Sequence, residues 1–181
     1  MKNSLHRAAA IFLSFVLSLV LSNSVKAQYR MSYEIGGGIS HYANCDDKAE
    51  PGYTFFNEVR FYTGPRLDLG ARIEDNFAWS HNSENKANFN DNSISLLAVV
   101  DYNFAFTGDF NPYAGVEFGG SMMHHQDLDN PHTVCYTDVT VGPRIGVEVI
   151  HHVKLAAEYR YNFFHDRFSY IGATLSWSFE M

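Results

Sequence analysis

Cysteine is almost missing from this 181-residue chain, which holds only Cys45 and Cys135. So few exclude a disulfide-dense mini-scaffold and a cysteine-rich metal module. Long apolar runs are missing as well. Beyond residue 27 no segment approaches the roughly 18 consecutive apolar residues of a helical span, so a helical membrane protein is excluded. Positive charge is scarce. Of 13 Lys/Arg against 20 Asp/Glu, Lys2, Arg7 and Lys26 lie in residues 1–27, leaving ten against twenty and a formal −10 beyond them. A nucleic-acid binder needs the opposite balance, and no Lys/Arg cluster offers a patch for anionic lipid.

What is present begins with a leader. Lys2 and Arg7 form a positive n-region, Ala8–Leu21 an apolar stretch, and Val25-Lys26-Ala27 a small-x-small site. A stretch of fourteen residues, twelve of them apolar, is too short for the ~20 of a span, so residues 1–27 read as a secretory signal peptide cleaved before Gln28. Residues 28–181 then form one domain.

Aromatic residues are abundant at 15%, with 15 Phe and 11 Tyr, while mean hydropathy is only −0.20. Both suit a membrane β-barrel, whose strands are half polar and carry aromatic girdles. Val153–Phe164 and Phe168–Glu180 show it most clearly. Val153, Leu155, Ala157, Tyr159, Tyr161 and Phe163 alternate with Lys154, Ala156, Glu158, Arg160 and Asn162, and Ile171, Ala173, Leu175, Trp177 and Phe179 alternate with Gly172, Thr174, Ser176, Ser178 and Glu180. Such a period of two fits strands that are apolar towards lipid and polar towards a lumen.

Six further strands follow the same rule: Tyr29–Tyr42, Tyr53–Tyr62, Arg66–Ser80, Ser93–Phe104, Pro112–His124 and Thr137–Ile150. Asn57 and Asp75 interrupt the outer phase, Asp75 marking a bulge or a position above the bilayer. Pro143 lacks a ladder donor, which predicts a bulge or a late strand start. Linkers 43–52, 81–92 and 125–136 are long and polar; the alternating ones are short turns. The expectation is an all-β, eight-stranded, antiparallel up-and-down barrel, with long loops outside and both termini periplasmic. Tyr53, Phe55, Phe77, Trp79, Tyr161 and Phe163 fall at the loop end, and Phe61, Tyr102, Phe104, Trp177 and Phe179 at the turn end.

Alternation sends Glu34, Glu58, Arg60, Asp68, Arg72, Glu74, Asp101, Glu117, Arg144, Glu148, Lys154, Glu158 and Arg160 into the lumen. Eight strands leave an interior that side chains fill, and buried charges must pair. The plain expectation is a polar core of ion pairs; the sharper one is a gate whose rearrangement opens a narrow path.

Three segments carry a resemblance. Asn111–Gly120 (NPYAGVEFGG), Leu155–Tyr161 (LAAEYRY) and the terminal alternating strand resemble the small eight-stranded outer-membrane β-barrels, the OmpA/OmpX-like "porin family". The resemblance implies the outer membrane of a Gram-negative bacterium, a terminal strand read by the barrel-insertion machinery, and a monomer surrounded by lipid. The family ends on an aromatic residue, whereas Glu180 and Met181 follow Phe179 here, leaving open whether this tail frays or extends the last strand.

Cys45 and Cys135 both fall on outer loops, and an even pair in an exported protein predicts a disulfide. His41, His81, His124, His125, His132 and His165 gather near the outer end without a closed metal-ligand spacing, so they read as scattered loop histidines. No metal or cofactor is expected. For catalysis, His165 with Ser169 is the one nearby pairing. Ser169 leans to the lipid side, and the His-x-Ser-Asn run of lipid A deacylases is absent, so no catalytic residue is assigned. The functional expectation is a structural or interacting surface protein whose loops meet an unidentified extracellular ligand. A narrow gated pore is the alternative, and a lipid-modifying enzyme the second.

Overall fold

An alternating strand needs a different solvent on each face, and a closed wall supplies both. The computed structural model describes residues 30–42, 48–49, 51–81, 88–105, 109–127, 133–150, 152–165 and 168–181. The expected leader, Cys45 and His132 lie outside them. The strands are β1 (Arg30–Tyr42), the two-residue β2 (Lys48–Ala49), β3 (Gly52–Tyr62), β4 (Leu67–His81), β5 (Asn88–Asn103), β6 (Phe110–Asp127), β7 (Thr133–Val149), β8 (Val153–Asn162) and β9 (Tyr170–Glu180). The eight long ones pair in sequence, and β9 pairs with β1, closing an antiparallel up-and-down barrel. Strand β2 lies beside the upper end of β4.

The side-chain phases follow the sequence. Ile35, Ile39, Phe55, Ile73, Leu96, Val116, Ile145, Leu155, Leu175 and Trp177 are exposed on the outside, while the charged residues of the opposite phase are buried. Girdle residues meet in edge-to-face pairs, Tyr53 with Trp79, Tyr161 with Phe163 and Tyr102 with Phe104, a favoured aromatic geometry. The outward Asn57 is met by Tyr33, whose hydroxyl donates to its Oδ1 at 2.6 Å.

Several boundaries differ from the sequence reading. Asn88–Asn92, His125–Asp127 and Thr133–Tyr136 are strand rather than loop. Their hairpins are held by backbone pairing, which is indifferent to the polar side chains that read as loop. The register through Asp75 is unbroken on both sides, so there is no bulge there. Pro143 makes neither a bulge nor a late start. Strand β7 runs through it in register with β6, but its pairing with β8 lapses between Val141↔Tyr161 and Arg144↔Glu158. The Phe163 N–H donates to the Val139 carbonyl at 3.1 Å, so odd-numbered β7 residues point their backbone groups at β8. Pro143 has no N–H to give the Tyr159 carbonyl there. Pro143→Val restores that donor in a wall surrounded by hydrocarbon. It is expected to raise unfolding free energy by about 1 kcal/mol, read as a higher urea midpoint of the refolded barrel; an unchanged or lower midpoint contradicts it.

At the other seam the tail does not fray. Strand β9 includes Glu180, the Met181 N–H donates to the Met31 carbonyl at 2.9 Å, and Glu180 pairs with Arg30 at 3.2 Å.

Candidate functional site

Inward phase on neighbouring strands sets charges side by side. Glu58 lies opposite Arg72, Arg144 opposite Glu158, and Glu148 opposite Lys154. Two facing pairs are like-charged, Glu34 with Glu58 and Asp68 with Asp101, and cations are inserted between their members. The Arg60 Nε stands 2.7 Å from both Glu34 and Glu58, and its Nη1 is 2.6 Å from Asp101 and 3.7 Å from Asp68. Arg144 sits at the centre. Its Nε donates to Asp101 at 2.7 Å, and its Nη1 lies 2.8 Å from Glu117 and 3.2 Å from Glu58.

Towards the loops, Arg72 meets Glu74 at 2.6 Å, Glu117 at 3.0 Å and Glu158 at 3.1 Å. Its guanidinium lies 3.6 Å from the centre of the Phe56 ring. Gly36 makes that stack possible, because a β-carbon there would occupy the space of the Phe56 ring. Arg160 joins Glu117, and lies 3.2 Å from Glu74 and 3.7 Å from Glu158. Lys154 binds Glu34 and lies 3.8 Å from Glu148. All the lumen positions named from the sequence therefore meet in one connected set. It holds eight carboxylates and five cations, so the interior leans negative.

Above the ions lies a band of neutral hydrogen bonds. Ser95 and Ser121 share one at 2.8 Å, Ser121 and Thr140 one at 2.5 Å, and Thr140 donates to Asn162 at 2.5 Å. Asn162 Nδ2 continues to the Phe168 carbonyl at 2.8 Å. Above that is an apolar cap of Tyr42, Ala78, Met123, Phe168 and Tyr170, with Tyr136 packed against it. The Tyr170 hydroxyl ties cap to ions by donating to Glu74. Sequence reading missed the cap. Its signal was there: Tyr42 shares the phase of Ser40, and Tyr170 that of Gly172, so both had to point inward.

The outer histidines do not gather at one point. His125 Nδ1 lies 2.5 Å from Asp91. His165 Nδ1 lies 3.3 Å from Asp138, whose carboxylate also accepts the N–H groups of Phe164 at 3.1 Å and His165 at 2.8 Å. His41 is exposed on β1 and His124 half-buried on β6, and nothing is described of the His81 side chain. Ser169 corrects its expectation. It is fully buried rather than lipid-facing, and its hydroxyl accepts the Asn162 N–H at 3.1 Å, while His165 is engaged with Asp138. Cys135 is a free, exposed thiol, and Cys45, the partner expected for it, lies outside the described residues. Cys135 lies on the outward phase of β7, three strands round the barrel from β1, and its side chain points away from the barrel axis.

A closed eight-stranded wall, apolar outside and ionic within, is the architecture that a family-wide comparison recovers. The model of the outer membrane protein beta-barrel domain matches residues 13–179. The chain belongs to that family. Its place is the bacterial outer membrane, with the apolar phase against lipid. No protein with a curated description matches in sequence. Among solved structures, Neisserial surface protein A is 14% identical with a TM-score of 0.59, over 86% of this chain and 98% of that one. Ail, the attachment invasion locus protein of Yersinia pestis, is 11% identical at 0.54, over 84% and 97%. The N-terminal barrel domain of Pseudomonas aeruginosa OprF is 14% identical at 0.53, over 85% and 100%. At these identities the likeness is one of fold.

Proposed function

We propose that this family member is a surface-exposed interaction protein, not an enzyme, and that it presents a strand edge to an extended segment of a partner. One observation carries the reading. Strands β4–β7 have 15, 16, 18 and 17 residues, whereas β1, β3, β8 and β9 have 13, 11, 10 and 11. The long four continue past the barrel rim as a sheet. On the β4 side β2 covers its edge. On the β7 side, β8 stops at Asn162 opposite Thr140, and residues 133–137 pair with β6 while no described strand pairs with their other edge. Val134 is 44% exposed although it is in the inward phase, as expected of a segment standing clear of the lumen. Thr133, Cys135 and Thr137 point their backbone groups at this open edge, and such edges accept an added strand.

Panning a displayed library of random peptides on proteoliposomes carrying the barrel tests this. Recovered peptides are expected to lose at least ~tenfold in affinity on Thr137→Pro, which removes one edge N–H, with the β6–β7 ladder intact. No enrichment, or binders indifferent to Thr137→Pro, sinks the reading. The gated pore is the weaker reading, because ions, neutral hydrogen bonds and cap fill the lumen in succession. We further infer that residues 1–27 are removed during export, with N-terminal sequencing of protein from outer membranes expected to begin at Gln28. The terminal strand is then what the insertion machinery reads.

A further inference from the structure

We infer that the outward face of the β6–β7 hairpin holds a site for a soft monovalent metal ion, copper(I), formed by Met122, His124 and Cys135. In sequence Cys135 belongs to a different segment from Met122 and His124, and the three have no closed ligand spacing. The fold sets His124 directly opposite Cys135 and Met122 opposite Thr137, one outward position towards the membrane.

The pairing is of the closer kind. The Ile150 N–H donates to the Asp109 carbonyl at 2.8 Å, so in this ladder odd β6 residues and even β7 residues form the hydrogen-bonded pairs. His124 and Cys135 therefore form a non-hydrogen-bonded pair, in which side chains approach most closely, with β-carbons about 5 Å apart. Met122 shares their face, two residues along β6, at a distance its flexible side chain spans.

All three donors are available. Cys135 is a free, exposed thiol, Met122 is 42% exposed and His124 is half-buried. None has a hydrogen-bond or ion-pair partner among the described residues, in contrast to His125 and His165, which face Asp91 and Asp138. The place is aqueous. Val139 is bonded to the girdle residue Phe163, and Cys135 lies four residues beyond it, about 13 Å further along the strand.

The donor set fixes the metal class. No group of three His, Cys, Asp or Glu that could hold a metal gathers among the described residues, so an all-hard or zinc-type cage is not what this face offers. Thiolate, thioether and imidazole together select copper(I), which accepts three ligands. Binding releases the Cys135 thiol proton to solvent and changes no oxidation state.

The test is an anaerobic titration of the reduced, refolded full chain in micelles with copper(I) against a chromogenic copper(I) chelator. Gel mobility before and after heating checks the fold of each variant. One equivalent is expected to leave the chelator for the wild type and for Cys45→Ser. Cys135→Ser and His124→Ala are each expected to lose at least ~tenfold in affinity, and Met122→Leu less. No uptake by wild type overturns the site. So do equal uptake by folded Cys135→Ser or His124→Ala, and loss of uptake in Cys45→Ser.

Discussion

Arg144→Met is expected to lower the unfolding free energy of the barrel by about 3–5 kcal/mol, the range for removing one partner of a buried ion pair. Methionine keeps an unbranched apolar stem and removes the charge and the donors. Glu58, Asp101 and Glu117 surround the guanidinium, all with fully buried side chains. Each retains a second cation, Arg60 for Glu58 and Asp101, Arg72 for Glu117, so the barrel is weakened rather than abolished. The lost attraction is shared, and Asp101→Asn in the same chain is expected to recover part of it. Its own single cost and that of Arg144→Met then fail to add, as residues in one network do. Urea unfolding of the four chains in micelles, followed by heat-modifiable gel mobility, measures the cycle. A loss below about 1 kcal/mol for Arg144→Met means that the centre is hydrated and the network carries little.

Leu96→Arg is expected to cost about 2–4 kcal/mol in a phospholipid bilayer, the price of a cation on the lipid face near the midplane. Leu96 is 63% exposed and pairs with Ile73, which lies on β4 between the girdle residue Phe77 and the turn. Thr137→Arg has the same outward phase but stands beyond the girdle, and is expected to cost under about 1 kcal/mol. The contrast matters more than either value. In a soluble barrel both positions face water and both changes are near neutral, so equal small effects contradict the lipid-facing wall.

The barrel was legible because its signal is a two-letter code repeated eight times. Each strand needs only the correct phase, and Glu34, Arg72 or Lys154 could be assigned inward without knowledge of any neighbour. What was not legible depends on strand pairing at a distance. Which carboxylate Arg144 meets depends on the registers of four strands, and the sequence contains none of them explicitly. The hairpin extensions at Asn88–Asn92 and Thr133–Tyr136 were hidden because strands beyond the membrane no longer face lipid, so their outer phase need not be apolar and the alternation fades. The cap was hidden for the opposite reason: Tyr42 and Phe168 are apolar residues in the polar phase, and only the closed barrel sets Met123 and Tyr170 beside them. Ser169 was misplaced because the turn before it, and not the ladder, sets its direction.

The bond from Met181 to Met31 has a temporal consequence. Strand β1, which is made before β9, is the last to find its second neighbour, about 150 residues later. Pairings of such sequence separation are slow to form. Until then the edge of β1 that faces β9 stays open, and an open edge is what recruits stray strands. Arg30, whose charge stands beside that edge and meets Glu180 only on closure, is placed to discourage mispairing while it waits.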